Sequence, residues 1–195
     1  MGLGTKLKLA VFISGRGSNL QAIVDACNNT NFPAEISLVL SNRPDAKGLD
    51  IAKIESIPYE IVDHKNFETR EKFEAEMQTR LQNYEIDLIV LAGFMRVLTP
   101  FFIDAWPQKI INIHPSLLPD YKGTNTHARV LADGKAETGC TVHYVVPDVD
   151  SGEIIAQSTV PVQPDDTPET LAARVLKEEH KLYPAAIKQI ATQQV

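Results

Sequence analysis

Short, uninterrupted apolar runs alternate along the first half of the chain with longer stretches in which apolar residues recur every three or four positions. The runs are Leu9–Ile13 (LAVFI), Ile36–Leu40 (ISLVL), Ile57–Val62, Leu88–Ala92 (LIVLA) and Ile110–Ile113 (IINI). A run apolar on both faces suits a buried parallel strand better than a half-exposed antiparallel one. Between the runs, Asn19–Asn28 presents Leu20, Ile23, Val24 and Cys27 at helical spacing. Phe67–Tyr84 does the same with Phe73, Met77, Leu81 and Tyr84, with charges on its other faces. Strands alternating with such helices predict right-handed βαβ crossovers and an α/β fold with a doubly wound, mainly parallel sheet.

After Ile113 the pattern changes. His114–Thr126, rich in Pro, Gly and polar residues, reads as a long surface loop. Thr141–Val146 and Ile154–Val160 read as two antiparallel strands joined by Pro147–Gly152. Thr167-Pro168-Glu169 is a helix start: a capping hydroxyl, a proline in the first turn, then an acid near the positive helix end. A long helix is predicted from there towards Ala191. With no repeat or linker, residues 1–195 are expected to form one domain.

Composition narrows the setting. The 25 acidic against 19 basic residues give a net charge of −6, which leaves no electrostatic footprint for nucleic acid. No apolar run approaches the ~20 residues that span a bilayer, and Met1–Lys8 lacks the apolar stretch of a signal peptide. Two cysteines, Cys27 and Cys140, are too few for a disulfide framework. The expectation is a cytoplasmic protein with small-molecule partners, no nucleic acid and no membrane.

Ser14-Gly15-Arg16-Gly17-Ser18-Asn19 lies between the first predicted strand and helix. Glycines let backbone approach an anion while unpaired helix N–H groups point at it. The alternative is a glycine turn needed only for tight packing. A dinucleotide fingerprint would need a third glycine where Leu20 stands, and a carboxylate after the second strand, where Ser41-Asn42 stand. No Gly-Lys-Ser/Thr follows for an ATPase loop either. One mononucleotide phosphate is the better guest.

Asn112 and His114 sit at alternate positions of a strand, so both face one way at its carboxyl end, where open α/β sheets bind ligands. They could supply an amide donor and a titratable proton, or His114 could simply cap the loop. Asp148 and Asp150 lie in the turn between the late strands; they could be turn formers, or one could pair with His114. His127 and His143 read as structural or surface residues.

Five segments occur in order: Ile13-Ser-Gly-Arg-Gly-Ser-Asn-Leu-Gln21, Leu91-Ala-Gly-Phe-Met-Arg-Val-Leu98, Asn112-Ile-His-Pro-Ser-Leu-Leu-Pro119, Gly139-Cys-Thr-Val-His143 and Asp148-Val-Asp-Ser-Gly152. Together they closely resemble the phosphoribosylglycinamide formyltransferases, folate-dependent enzymes of purine biosynthesis, from about Leu7 to Ala191. The resemblance implies a formyltransferase fold, Rossmann-like in its N-terminal half. It implies formyl transfer from 10-formyltetrahydrofolate to the glycinamide amine, without a metal. Residues 8–114 would form the mononucleotide-binding half and 115–195 the folate and catalytic half. By carry-over, Asn112, His114 and Asp150 are the catalytic group, and Gly17, Ser18, Asn19 and Glu179 hold the ribonucleotide. Arg70, Met95, Arg96, Val97, Leu98, Asn112, Val146 and Asp150 bind the folate. The implied attack is direct, with a charged His114 and Asn112 as donors to the developing oxyanion and Asp150 keeping His114 charged. The active form would be a monomer or a homodimer.

The chain departs from the pattern at Asp120, an acid not expected of many relatives, and Met1–Thr5 matches nothing. Formyltetrahydrofolate hydrolase, with water as acceptor, is the alternative, but it normally carries an added N-terminal domain, whereas the first strand here is predicted from about Lys8. Methionyl-tRNA formyltransferase would add a basic C-terminal domain. A non-enzymatic nucleotide-binding module would not need Asn112, His114 and Asp150 together.

Overall fold

A computed structural model describes residues 5–193; Met1–Gly4, within the unmatched Met1–Thr5 segment, lie outside them. Seven strands form one sheet: β1 (Leu7–Ile13), β2 (Ala34–Ser41), β3 (Tyr59–Ile61), β4 (Leu88–Leu91), β5 (Ile110–His114), β6 (Glu137–Tyr144) and β7 (Ile154–Pro161). Their spatial order is β3-β2-β1-β4-β5-β6-β7. The first five pair in parallel, while β6 and β7 are antiparallel to their neighbours. This is the expected doubly wound sheet with a late antiparallel pair.

Alternation along β1 explains the two apolar layers. Leu7, Leu9, Val11 and Ile13 face α1 (Ser18–Cys27), α2 (Gly48–Ile54) and α6 (Pro168–Gln193). Ala10 and Phe12 face α3 (Arg70–Leu81) and α4 (Pro100–Ile103). Fully burying a side chain such as Phe73 or Met77 stabilises the fold by about 1.5–3 kcal/mol. Among the described residues, no helix is long and apolar enough to cross a membrane.

The cap expected for the last helix is formed: Thr167 Oγ1 accepts the Thr170 N–H at 3.3 Å. Tyr183 of α6 reaches the sheet interior, its hydroxyl 3.0 Å from the Leu91 carbonyl and 3.2 Å from that of Ile111. It ties β4 to β5 at the last rung before the site. Tyr183→Phe is expected to cost about 1–3 kcal/mol by leaving those carbonyls short of a donor, measured by denaturant unfolding.

The long segment after β5 is only in part the surface loop its composition suggested: Pro119, Asp120 and residues 122–125 are exposed, but its first half is anchored. Ser116 and Leu118 are buried, because the Thr141 hydroxyl donates to the Ser116 carbonyl and accepts the Leu118 N–H. The segment ends in α5 (Thr126–Ala132), a helix whose seven residues carry too few apolar positions to register as a periodic stretch.

Candidate active site

The sheet reverses winding direction between β1 and β4, and their carboxyl ends open a crevice there. Ser14, first after β1, joins three strand ends. Its hydroxyl donates to Asn42 Oδ1 after β2 at 2.6 Å and accepts the Met95 N–H after β4 at 2.7 Å. The glycine loop follows. Gly17 has a left-handed φ of 79°, and a Cβ there would lie 2.7 Å from Gly48 Cα of α2. Glycine at this position therefore serves close backbone packing as well as any ligand.

Two cavities meet at Met95 and Arg96, which line both. The larger, about 970 Å³, is walled by Gly17, Ser18, Asn19, Arg96 and Glu179 among others. Asn19 Nδ2 donates to Glu179 Oε2 at 2.8 Å, while Asn19 Oδ1 is buried without a partner. Burial pushes the Glu179 carboxyl above its ordinary value, against the Asn19 hydrogen bond. The smaller cavity, about 280 Å³, is lined by Met95, Arg96, Val97, Leu98, Val146, Asn112 and Asp150 and by apolar neighbours such as Leu91 and Ile103. Arg70 is exposed at the start of α3 and lines neither cavity. Both halves of the chain contribute walls to each cavity.

At the edge of the smaller cavity the structure brings Asn112, His114 and Asp150 together. His114 Nδ1 lies 3.3 Å from Asp150 Oδ2, and its Nε2 lies 2.9 Å from the Tyr121 carbonyl. A carbonyl only accepts, so Nε2 carries hydrogen and, in the neutral ring, Nδ1 turns its lone pair to the carboxylate. Asp150 Oδ2 also accepts the Gly123 N–H at 2.8 Å. The turn that presents Asp150 holds it at φ 51° and packs against β6: a Cβ on Gly152 would lie 1.8 Å from the Tyr144 carbonyl oxygen. Asp148, the other carboxylate of the motif, is exposed.

Burial pushes His114 below the ordinary histidine value, outweighing the upward pull of the Tyr121 carbonyl and Asp150. Desolvation of the imidazolium thus works against the charge that Asp150 was expected to maintain on His114. Burial alone would raise Asp150, but the His143 ring, the Gly123 N–H and His114 together hold its carboxyl below the usual range. His114 lines neither cavity, and both its ring nitrogens are engaged.

His143, read from sequence as structural or surface, belongs to this cluster. It is the cross-strand partner of Asn112 in the antiparallel β5–β6 pair. Its Nε2 lies 3.3 Å from Asn112 Nδ2 and 3.6 Å from Asp150 Oδ1, while Nδ1 donates to the Tyr144 carbonyl at 2.8 Å. Nε2 thus stands between the Asn112 amide and the Asp150 carboxylate, and the second Asn112 amide hydrogen is left for the cavity. Only the β5–β6 register reveals this. Cys27 and Cys140 pack in or against the core, where burial pushes their thiols up to about 11 and about 12; neither is a thiolate at neutral pH.

Residues 7–187 match the family model for formyl transferase. The chain belongs to the formyl transferase family. It is 46% identical over 187 residues to the human trifunctional purine biosynthetic protein adenosine-3, covering 96% of this chain but only 18% of that protein. It is also 46% identical to the phosphoribosylglycinamide formyltransferase of Haemophilus influenzae, over 93% of this chain and 85% of the relative. The crystal structure of glycinamide ribonucleotide transformylase 1 from Symbiobacterium toebii superposes with a TM-score of 0.94 at 41% identity, covering 99% of this chain and 90% of that one. The expected formyltransferase class is the one that the family model and the Haemophilus influenzae relative carry in their names.

Proposed function

We propose that the chain is a cytoplasmic enzyme that transfers a formyl group from 10-formyltetrahydrofolate to the amine of N1-(5-phosphoribosyl)glycinamide. The products are formylglycinamide ribonucleotide and tetrahydrofolate, in purine biosynthesis. The observation that carries the reading is the Asn112–His114–Asp150 cluster beside two cavities that meet at Met95 and Arg96. The larger takes the ribonucleotide, its phosphate at Gly17, Ser18 and Asn19 and the rest of the molecule towards Glu179. The smaller, mostly apolar with Asn112 and Asp150 at one edge, suits a flat pterin, and Arg96 suits the acidic tail beyond it.

The amine forms a bond to the formyl carbon, the bond from that carbon to the folate nitrogen breaks, and one proton moves from amine to folate. The free Asn112 amide hydrogen is a donor to the formyl oxygen, worth about 10²–10³ in rate. A neutral His114 lone pair facing an ionised Asp150 is a proton acceptor: the amine proton comes to rest between Nδ1 and Oδ2 and is returned to the folate nitrogen.

The acceptor works only while His114 is neutral. Its value lies below 6.5, so kcat should be flat through neutral pH and fall only as pH drops through that lowered value. A kcat–pH profile measures this, and a fall beginning well above pH 6.5 contradicts it. The reaction itself is tested with a chromogenic 10-formyl folate analogue, with and without the ribonucleotide. Deformylation that needs the ribonucleotide and vanishes in His114→Ala supports transfer; deformylation without it makes the enzyme a hydrolase.

A further inference from the structure

We propose that Arg129 is a positioning residue for the His114–Asp150 pair, one guanidinium on α5 holding in place the two backbone groups that bind these side chains. The inference rests on the proton-acceptor role given to the pair above. Arg129 Nη1 donates to the Lys122 carbonyl at 2.8 Å and reaches the Thr124 carbonyl at 3.4 Å, and the guanidinium sits over the Tyr121 ring, 5.3 Å from its centroid. Between the two carbonyls lies the Gly123 N–H that Asp150 accepts; next to them is the Tyr121 carbonyl to which His114 Nε2 donates.

The segment has reason to need a clamp. Tyr121, Gly123 and Asn125 have φ values of 57°, 81° and 55°, left-handed at alternate positions, two of them in residues with a Cβ. Such backbone persists only where surrounding contacts over-determine it. A second tie, Lys122 Nζ to Ser151 Oγ at 2.6 Å, joins two exposed side chains, and the Tyr121 hydroxyl donates to Asp133 at the end of α5. Arg129 is the contact that grips both sides of Gly123 and the Tyr121 ring together.

Its charge has a separate effect. The charged and titratable groups facing His114 are Asp150 from the β6–β7 turn, His143 from β6, and Arg129 and His127 from α5. Arg129 and His143 oppose protonation of His114, and Asp150 favours it. Hydrogen bonding and charge can therefore be separated by substitution.

The experiment measures kcat, both KM values and the acid limb of the kcat–pH profile in full-length Arg129→Ala, Arg129→Gln and Arg129→Lys, with NMR titration of labelled His114 and melting curves. In Arg129→Ala, kcat is expected to fall on the order of 10–100-fold through displacement of the pair, with the ribonucleotide KM close to wild type. Arg129→Gln keeps an amide donor without the charge, so the His114 titration and the acid limb should move to higher pH. Arg129→Lys should leave that limb in place and recover much of kcat. Unchanged kcat in Arg129→Ala overturns the proposal. So does a loss accompanied by a lower melting temperature, an unmoved His114 titration in Arg129→Gln and no recovery in Arg129→Lys. Should Arg129→Ala not fold, the Gln and Lys titrations decide. Asp150→Asn and His114→Ala are assayed alongside: if they stay active, the acceptor role of the pair has failed; if they are inactive while Arg129→Ala is not, only the role of Arg129 has.

Discussion

Asp150→Asn is expected to lower turnover by about 10²–10⁴-fold, the usual scale for losing a positioned acid–base group, with ribonucleotide affinity near wild type. The substitution is nearly isosteric. The amide oxygen can still accept the Gly123 N–H that Asp150 Oδ2 takes at 2.8 Å, so the turn should keep its conformation. What disappears is the charge. With the amide oxygen kept at the Oδ2 position, the NH2 group takes the Oδ1 position beside His143 Nε2, and His114 Nδ1 faces an uncharged oxygen where a carboxylate stood 3.3 Å away. A proton leaving the attacking amine then has nowhere to rest. Asp150 does not line the larger cavity, so calorimetry with the ribonucleotide should report little change while single-turnover rates collapse. Preserved turnover removes Asp150 from the mechanism.

Gly17→Val is the second large effect, and two independent costs combine in it. The backbone at Gly17 has a φ of 79°, a conformation that costs a β-branched residue about 1–3 kcal/mol. The new Cβ would also lie 2.7 Å from Gly48 Cα, a backbone atom that cannot swing aside. Relief requires the loop to lift off α2, which breaks the Gly48 N–H bond to the Gly15 carbonyl at 2.9 Å. The unpaired N–H groups at the start of α1 move with it. Weakening of ribonucleotide binding by about tenfold for each ~1.4 kcal/mol of lost contact is expected, together with a lower melting temperature. Folate binding should persist, because Gly17 is not part of the smaller cavity. Unchanged ribonucleotide affinity would make the loop a packing turn alone.

How much was legible in advance depended on how local the cause was. The β1, β2, β4 and β5 runs are apolar on both faces because both faces are covered, and that shows as unbroken hydrophobicity. The α6 start at Thr167-Pro168-Glu169 is local capping chemistry. α2 and α5 escaped because seven residues span only about two turns, too short for periodicity to emerge, and their stability comes from the sheet beneath them. Met95–Leu98, Val146 and Asp150, distant in sequence, fall on one cavity wall, whereas Arg70 lies on none.

By itself, then, the sequence determined the sheet, its winding, and that Asn112 and His114 share a face, because side-chain alternation and capping act within a few residues. The tertiary structure alone decided that Asp150 rather than Asp148 meets His114, that His143 joins through the β5–β6 register, and that burial pulls His114 below its ordinary value. Those outcomes depend on contacts between residues far apart in the chain and on the water that their packing excludes.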